Sequence, residues 1–240
     1  MQQYIAILTA VLFGAIAATA PNTICPNNQA ISDTIRNVFL KRHNQIRSRV
    51  AQGTFALKNG VYARRASKMI KLNYNCDAEK SANDWAQKCK DDISWTNKYD
   101  EVRYAYKGPK TDLEAITRAT IKIWRSEAGT GSFLQGPNDK NVYGPYLGIP
   151  NLAKILWDEH KEIGCSVVKC SNFTNVVCHY APKLFTTGGQ IYKMGEPCKR
   201  CSGNAISGEG TTERFSVYEE DFEDITIEQH PEWCFPSQTL

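Results

Sequence analysis

The sequence predicts an α+β fold, on three observations. Apolar residues recur at helical spacing through the first two thirds of the chain, two β-branched runs follow residue 164 in close succession, and nine cysteines are spread over both parts. Runs of helices followed by runs of strands segregate the elements rather than alternating them.

The first segment is not part of that fold. After Met1-Gln-Gln-Tyr4 comes IAILTAVLFGAIAATA, uncharged, apolar and ending in small residues. It is short for a bilayer span and reads as a secretory signal peptide over residues 1–17. Ala15-Ile16-Ala17 and Ala18-Thr19-Ala20 both satisfy the small-x-small rule, but the second would leave Pro21 after the cut, so release is expected near Ala17 or Ala18. A membrane anchor would want a positive stop-transfer flank, which is absent here. No later segment is apolar over a transmembrane length, so a secreted, extracellular chain without stable membrane insertion is expected. The remaining ~220 residues suffice for one core burying roughly 70% of the unfolded surface.

All nine cysteines lie after this segment. In an oxidising compartment they imply a disulfide framework rather than metal or redox chemistry. An odd number leaves one thiol free or paired with another molecule, which permits a covalent homodimer. The net charge of +4 hides an asymmetry: from Glu209 onward there are nine acidic residues and one basic, Arg214, out of 25 and 29 in the chain. The preceding part is therefore near +12 and the tail near −8. Two solvated faces, an acidic partner for the body, or a tail folded over the body would each fit. No nucleic-acid partner is expected.

Ser32 can cap a helix whose apolar face is Ile35, Val38, Phe39, Ile46 and Val50. Asp77 opens a second helix through Ala82, Trp85, Ala86 and Cys89. Thr111-Asp112-Leu113-Glu114 has capping-box spacing and starts a third, through Ile116, Ile121 and Trp124, ending at Ala128-Gly129-Thr130-Gly131. A shorter fourth helix is expected from Asn151 to His160. Cys165–Lys169 and Asn175–Tyr180 read as an antiparallel pair joined by a short link, with Cys165 and Cys178 able to bridge neighbouring strands. Gln190–Met194 reads as a third short strand. Residues 94–110 and 129–149 are expected to be long loops mixing aromatic residues, Arg/Lys and Gly/Pro, a composition suited to protein interfaces.

Several separated motifs point to one family. Arg42-His43-Asn44-Gln45-Ile46-Arg47, Leu72–Glu79 followed by Ala82-x-x-Trp85-Ala86-x-x-Cys89, Trp157-x7-Cys165, and Val177-Cys178-His179-Tyr180 together resemble the CAP superfamily of cysteine-rich secretory, antigen 5 and pathogenesis-related proteins. Ile191–Cys201 is similar to the start of the tail in secreted nematode members. The resemblance covers residues 25 to about 201 and implies a three-layer α-β-α sandwich. It places a CAP domain at 25–194 and a cysteine-containing acidic tail at 195–240. It further implies Cys25–Cys89, Cys165–Cys178 and, by remainder, Cys76–Cys170. Cys198, Cys201 and Cys234 are left in the tail, where one pair can close. Cys198-x-x-Cys201 is half of a zinc or redox motif, without a second half.

Many members of that superfamily carry two histidines and two glutamates that can hold a divalent metal. Matched residue by residue, the tetrad is degenerate here. Ile93 falls at the first histidine, Arg103 or Tyr104 at the first glutamate with Glu101 the nearby alternative, Glu127 at the second glutamate, and Asn151 at the second histidine. One carboxylate and an amide do not replace two imidazoles as ligands, and no imidazole is left there as a general base. The expectation is no catalytic residue, no metal and no cofactor. His43 and His179 read as hydrogen-bonded packing residues; His160 and His230 read as exposed.

The stretch Ile149-x-Asn151-Leu152-Ala153 running into Trp157-Asp158 resembles a hookworm branch that includes the neutrophil inhibitory factor and the platelet inhibitor. That branch implies a non-enzymatic ligand of a host cell-surface protein, an integrin on platelets or leukocytes, with anti-haemostatic or anti-inflammatory effect. No Arg-Gly-Asp or Lys-Gly-Asp tripeptide is present, so such contact would need a folded surface. The alternative is a sterol or lipid carrier, in which the loop Tyr143–Pro150 would serve; the plainer reading of that loop is a proline-stiffened connection. Asn172-Phe173-Thr174 is an N-glycosylation sequon placed between the paired strands.

Overall fold

The computed structural model describes residues 22–138, 140–197 and 199–200. The expected signal peptide, Cys198, Cys201, Cys234, His230 and the acidic run of the tail lie outside the described residues.

Among the described residues four α-helices and four strands follow in chain order: α1 (Asp33–Gln52), β1 (Asn73–Tyr74), α2 (Cys76–Ala86), β2 (Asp100–Lys107), α3 (Leu113–Thr130), α4 (Pro150–Ile155), β3 (Glu162–Lys169) and β4 (Phe173–Ala181). The strands form one sheet in the order β1-β3-β4-β2, with β3–β4 and β4–β2 antiparallel and β1–β3 parallel. Helices α1, α3 and α4 share the larger apolar core on one face, where Phe39, Trp124, Leu152, Ile163, Val176 and Tyr180 meet. On the other face α2 packs Ala82 and Ala86 on Val177, with Trp85 and Val168 alongside. The result is the three-layer α-β-α sandwich.

Local chemistry accounts for the helix ends. Ser32 Oγ accepts from Ile35 N at 3.4 Å and Gly53 stops α1 with φ 73°, a left-handed conformation favouring glycine. Asn75 caps α2 by accepting from Ala78 N at 2.8 Å. For α3 the cap is Asp112, accepting from Ala115 N at 2.9 Å, rather than the expected Thr111. Gly164 on β3 allows α2 to approach: a Cβ there would stand 2.6 Å from the Asn75 carbonyl oxygen.

Four expectations are corrected. Helix α4 ends at Ile155 instead of His160, because Arg47 takes the carbonyls of Ile155 and Trp157 and the His160 ring binds that of Lys154. Residues 100–107 of the expected loop are the edge strand β2, registered on β4 from Asp100↔Tyr180 to Lys107↔Phe173. Residues 190–194 form only isolated bridges, Val142↔Gln190 and Ala66↔Met194. His160 is buried, not exposed.

The disulfides also differ. Cys165–Cys178 joins registered neighbours on β3 and β4, as expected. The other pairs are Cys25–Cys76 and Cys89–Cys170, not Cys25–Cys89 and Cys76–Cys170. Helix length decides this. Cys76 begins α2 and Cys89 lies past its other end, roughly 20 Å away at 1.5 Å per residue, whereas a disulfide spans about 6 Å between Cα atoms. The N-terminal segment sits at the first end, where Asn28 Nδ2 donates to the Cys76 carbonyl at 2.8 Å. Only Cys76 is within its reach.

Candidate functional site

The four tetrad positions do not converge. Ile93 lies in the segment after α2 and is 43% exposed, its N–H taken by Asp92 Oδ1 at 2.7 Å. Tyr104 is on β2, edge-on to Tyr106 with centroids 4.7 Å apart. Only Glu127, in the last turn of α3, and Asn151, in the first turn of α4, are brought together. Glu127 accepts from Asn151 Nδ2 at 2.7 Å, from Asn151 N at 3.0 Å and from Leu152 N at 2.8 Å. Its carboxylate therefore satisfies the free N–H groups at the start of a short helix, the job of an N-terminal cap done from another helix. Burial pushes the Glu127 carboxyl pKa up, with these three bonds opposing.

Glu101, the alternative glutamate, faces α2. Its Oε2 accepts from the buried His179 at Nε2, 2.9 Å away, and from Ser94 N at 3.1 Å, while Tyr99 stacks on the imidazole at 5.3 Å. Ser94 Oγ also addresses Nε2, at 3.4 Å. A hydroxyl, an imidazole and a carboxylate are thus adjacent without forming a nucleophile triad. In a triad the carboxylate orients one ring nitrogen so that the other is free for the hydroxyl; here both compete for one nitrogen, and Nδ1 is buried without a partner.

A second carboxylate–imidazole pair escaped the sequence reading. Asp100 Oδ2 accepts from His160 Nε2 at 3.0 Å and from the backbone N–H groups of Leu184 at 2.7 Å and Phe185 at 2.8 Å. His160 Nδ1 lies 2.9 Å from the Lys154 carbonyl, and Tyr180 stacks on the ring at 5.2 Å. Burial lowers the His160 pKa, with the bond to Asp100 opposing; burial opposes the lowering of the Asp100 pKa by His160 and the two N–H donors. Lys154 completes this corner. Its ammonium stands 5.1 Å above the Phe185 ring, and its pKa is lowered by burial against the pull of Asp100, Glu101 and Glu127. Nothing in the spacing of Asp100, Lys154 and His160 announces this cluster, because each reaches it from a different element.

The HNxxR run of α1 is adhesive. Asn44 bonds both backbone groups of Leu72, and Arg47 donates to the carbonyls of Ile70, Ile155 and Trp157 at 2.6–2.9 Å. His43 binds the Phe39 carbonyl at 2.7 Å and the Tyr180 hydroxyl at 2.8 Å, a packing role as expected.

These residues do not fit a divalent metal. The Glu127 oxygens are occupied by three N–H donors, the Asn151 amide turns a donor toward them, and Asp100 Oδ2 is likewise occupied by three. Among the described residues no three His, Cys, Asp or Glu side chains are grouped as a metal would need.

The comparisons agree with this architecture. Residues 40–180 match the CAP: Cysteine-rich secretory protein family. The chain is 32% identical to Ancylostoma secreted protein of Ancylostoma caninum over 77% of its own length, although it spans only 45% of that relative. It is 30% identical to Hookworm platelet inhibitor 1 of the same organism, covering 84% of this chain and 90% of that one. Among solved structures, Na-ASP-1 superposes with TM-score 0.70 at 33% identity, over 77% of this chain and 47% of that one. NaASP2 with Zn2+ superposes with TM-score 0.66 at 31% identity, over 74% and 94%. With the sheet order, the three-layer packing and the core disulfides already in place, this chain belongs to the CAP family of cysteine-rich secretory proteins.

Proposed function

We propose that this chain is a secreted, non-enzymatic CAP protein that binds and blocks a host cell-surface receptor, an integrin on platelets or leukocytes. The observation that carries the reading is Trp95. Its side chain is 77% exposed while its backbone holds φ 52°, a left-handed conformation that bulky residues rarely adopt. Beside it, residues 94 and 96–99 and one flank of α2 enclose an open cleft of about 580 Å³ lined by Trp85, Lys88, Lys98, Tyr99 and Asp77. Lys88 sits over the Trp85 ring and Lys98 over the Tyr99 ring. Aromatic anchors with flanking cations are the residue types that dominate binding energy at protein interfaces. Similarity to a protein named as a platelet inhibitor supports the target class. Within the expected 94–110 interface, Asp100, Glu101 and Val102 are buried and take no part, and Tyr99, also buried, only lines the wall of the cleft.

The sequon belongs to the same secreted reading. Asn172 is exposed in the turn between β3 and β4, so a glycan there would leave that end of the sheet without disturbing the core. No helix among the described residues is long and apolar enough to cross a membrane. The lipid-carrier alternative draws no support from the loop it would use: Tyr143, Leu147 and Ile149 are buried in the core, and of its large apolar side chains Tyr146 is the exposed one.

Purified protein should bind activated platelets or neutrophils saturably, and Trp95→Ala should weaken that binding at least tenfold without lowering thermal stability. Absence of binding to either cell type, resting or activated, would remove the proposal. Undiminished binding by Trp95→Ala would move the contact elsewhere.

A further inference from the structure

We propose that Asn172 receives an oligosaccharide only before β4 enters the sheet, because folding turns the hydroxyl that marks the sequon into a structural clip. The proposal rests on the secreted reading above and adds an order of events to it. Glycan transfer needs two groups of the sequon at once, the Asn172 amide and the Thr174 hydroxyl two residues on. The folded chain offers only the first. Asn172 is exposed in the turn between β3 and β4, whereas Thr174 is 0% exposed. Thr174 sits in β4 between two strands, opposite Tyr106 of β2 and Lys169 of β3. Its hydroxyl accepts from Lys110 N at 2.7 Å and donates to the Gly108 carbonyl at 3.2 Å, while Gly108 N donates to the Asn172 carbonyl at 2.9 Å. The sequon therefore holds the exit of β2, where Gly108 turns the chain with φ 75°.

A threonine hydroxyl has one proton to give, and here the Gly108 carbonyl takes it. To be read by a transferase the hydroxyl must leave both bonds and come out from between two strands, which parts the end of β4 from β2. Two disulfides oppose that opening. Cys89–Cys170 fixes the chain just before Asn172, and Cys165–Cys178 pins β4 to β3 just after Thr174. The turn itself is closed by Cys170 N, which donates to the Phe173 carbonyl at 2.8 Å. In the open chain none of these constraints exists. There Asn172 Nδ2 can form a bond to the anomeric carbon of a lipid-diphosphate-linked oligosaccharide and give up a proton, while the lipid diphosphate leaves with the electron pair of the bond it held to that carbon. Once β4 has paired, the same hydroxyl stabilises the fold instead. Closure of the sheet and transfer of the glycan are alternatives in time, so a chain that folds first stays unmodified.

The unglycosylated full chain, refolded with its disulfides formed, is offered to a purified oligosaccharyltransferase with a lipid-linked oligosaccharide. The same chain, reduced, alkylated and unfolded, is offered alongside. Mass mapping of the Asn172 peptide should find the glycan on the unfolded chain and none on the folded one over the same time. Comparable modification of the folded chain would overturn the proposal. Modification of neither would overturn it as well, by removing Asn172 as an acceptor, and would leave the receptor-binding reading untouched. The clip has its own readout in the unglycosylated protein. Thr174→Val keeps the shape and loses the hydroxyl, so Lys110 N loses its acceptor and the folding equilibrium constant in urea unfolding should fall by about tenfold. Thr174→Ser, which keeps the hydroxyl, should lose less, and Asn172→Gln, which removes the glycan acceptor alone, should change the constant by less than about twofold. Equal stability of Thr174→Val and the parent, or equal losses in the valine and serine variants, would refute the clip. Should Thr174→Val not fold, the transferase comparison on the wild-type chain supplies the decision.

Discussion

The Asn151 side chain donates to Glu127 Oε1 across 2.7 Å while the same carboxylate accepts the Asn151 and Leu152 backbone N–H groups, so one glutamate from α3 holds the start of α4. Glu127→Ala would leave those donors without an acceptor in a half-buried place. It should cost ~2–4 kcal/mol of unfolding free energy, whereas Asn151→Ala, which removes one of the three bonds, should cost ~1 kcal/mol. Urea denaturation of the two variants checks the ratio; equal losses would show that the backbone bonds contribute little.

The disulfide assignment makes a chemical prediction. Peptide mapping without reduction should recover Cys25 linked to Cys76 and Cys89 linked to Cys170. Because Cys89–Cys170 closes a loop with a sequence separation of 81, replacing both by serine should destabilise the fold by ~4 kcal/mol in the loop-entropy picture. The cross-strand Cys165–Cys178 pair, with a separation of 13, should matter somewhat less by the same reasoning.

How much was legible beforehand depended on whether a feature is local. The α1 cap at Ser32, the β3–β4 pair and its Cys165–Cys178 bridge follow from short-range patterns, and the motif set was enough for the family. Strand β2 was missed because Asp100-Glu101-Val102-Arg103 lacks clean alternation: Asp100 and Glu101 are both buried, each against a histidine brought from elsewhere in the chain. The disulfide pairs needed the position of the N-terminal segment against one end of α2. The site was half legible. That Ile93 and Asn151 stand where the family has histidines could be read from the sequence, but the Asp100–His160 pair could not, since only the packing of the turn after α4 against β2 brings the two side chains together.

Arg47 joins three separate chain segments through its guanidinium, with no carboxylate among its direct hydrogen-bond partners. Burial pulls its pKa down to about 10, with Asp158 opposing, so it remains charged at neutral pH. A lysine has one compact ammonium where arginine has a five-donor fork. Arg47→Lys should therefore strand at least one of the Ile70, Ile155 and Trp157 carbonyls and cost ~2–4 kcal/mol. A chemical-denaturation midpoint indistinguishable from that of the parent would contradict this account of the HNxxR run.

The His43 ring gives the fold an acid-sensitive element of known sign. The Phe39 carbonyl can only accept, so Nδ1 carries the proton and Nε2 accepts from the Tyr180 hydroxyl; the neutral ring makes both bonds. Burial pushes its pKa down from 6.5 to about 4, against the bond to Phe39. In the unfolded chain the imidazole takes up a proton below about pH 6.5, while the folded chain resists until about pH 4. The unfolded state therefore binds more protons in that window. The stability contribution is fully present above pH 6.5 and falls by ~3 kcal/mol as pH drops to 4. His43→Gln keeps an amide donor and acceptor in place of the ring but cannot titrate. Between pH 7 and pH 4 the wild-type protein should lose ~3 kcal/mol more than this variant in urea-unfolding experiments. Parallel pH profiles for the two proteins would mean that His43 accepts its proton in the folded state as readily as in the unfolded one.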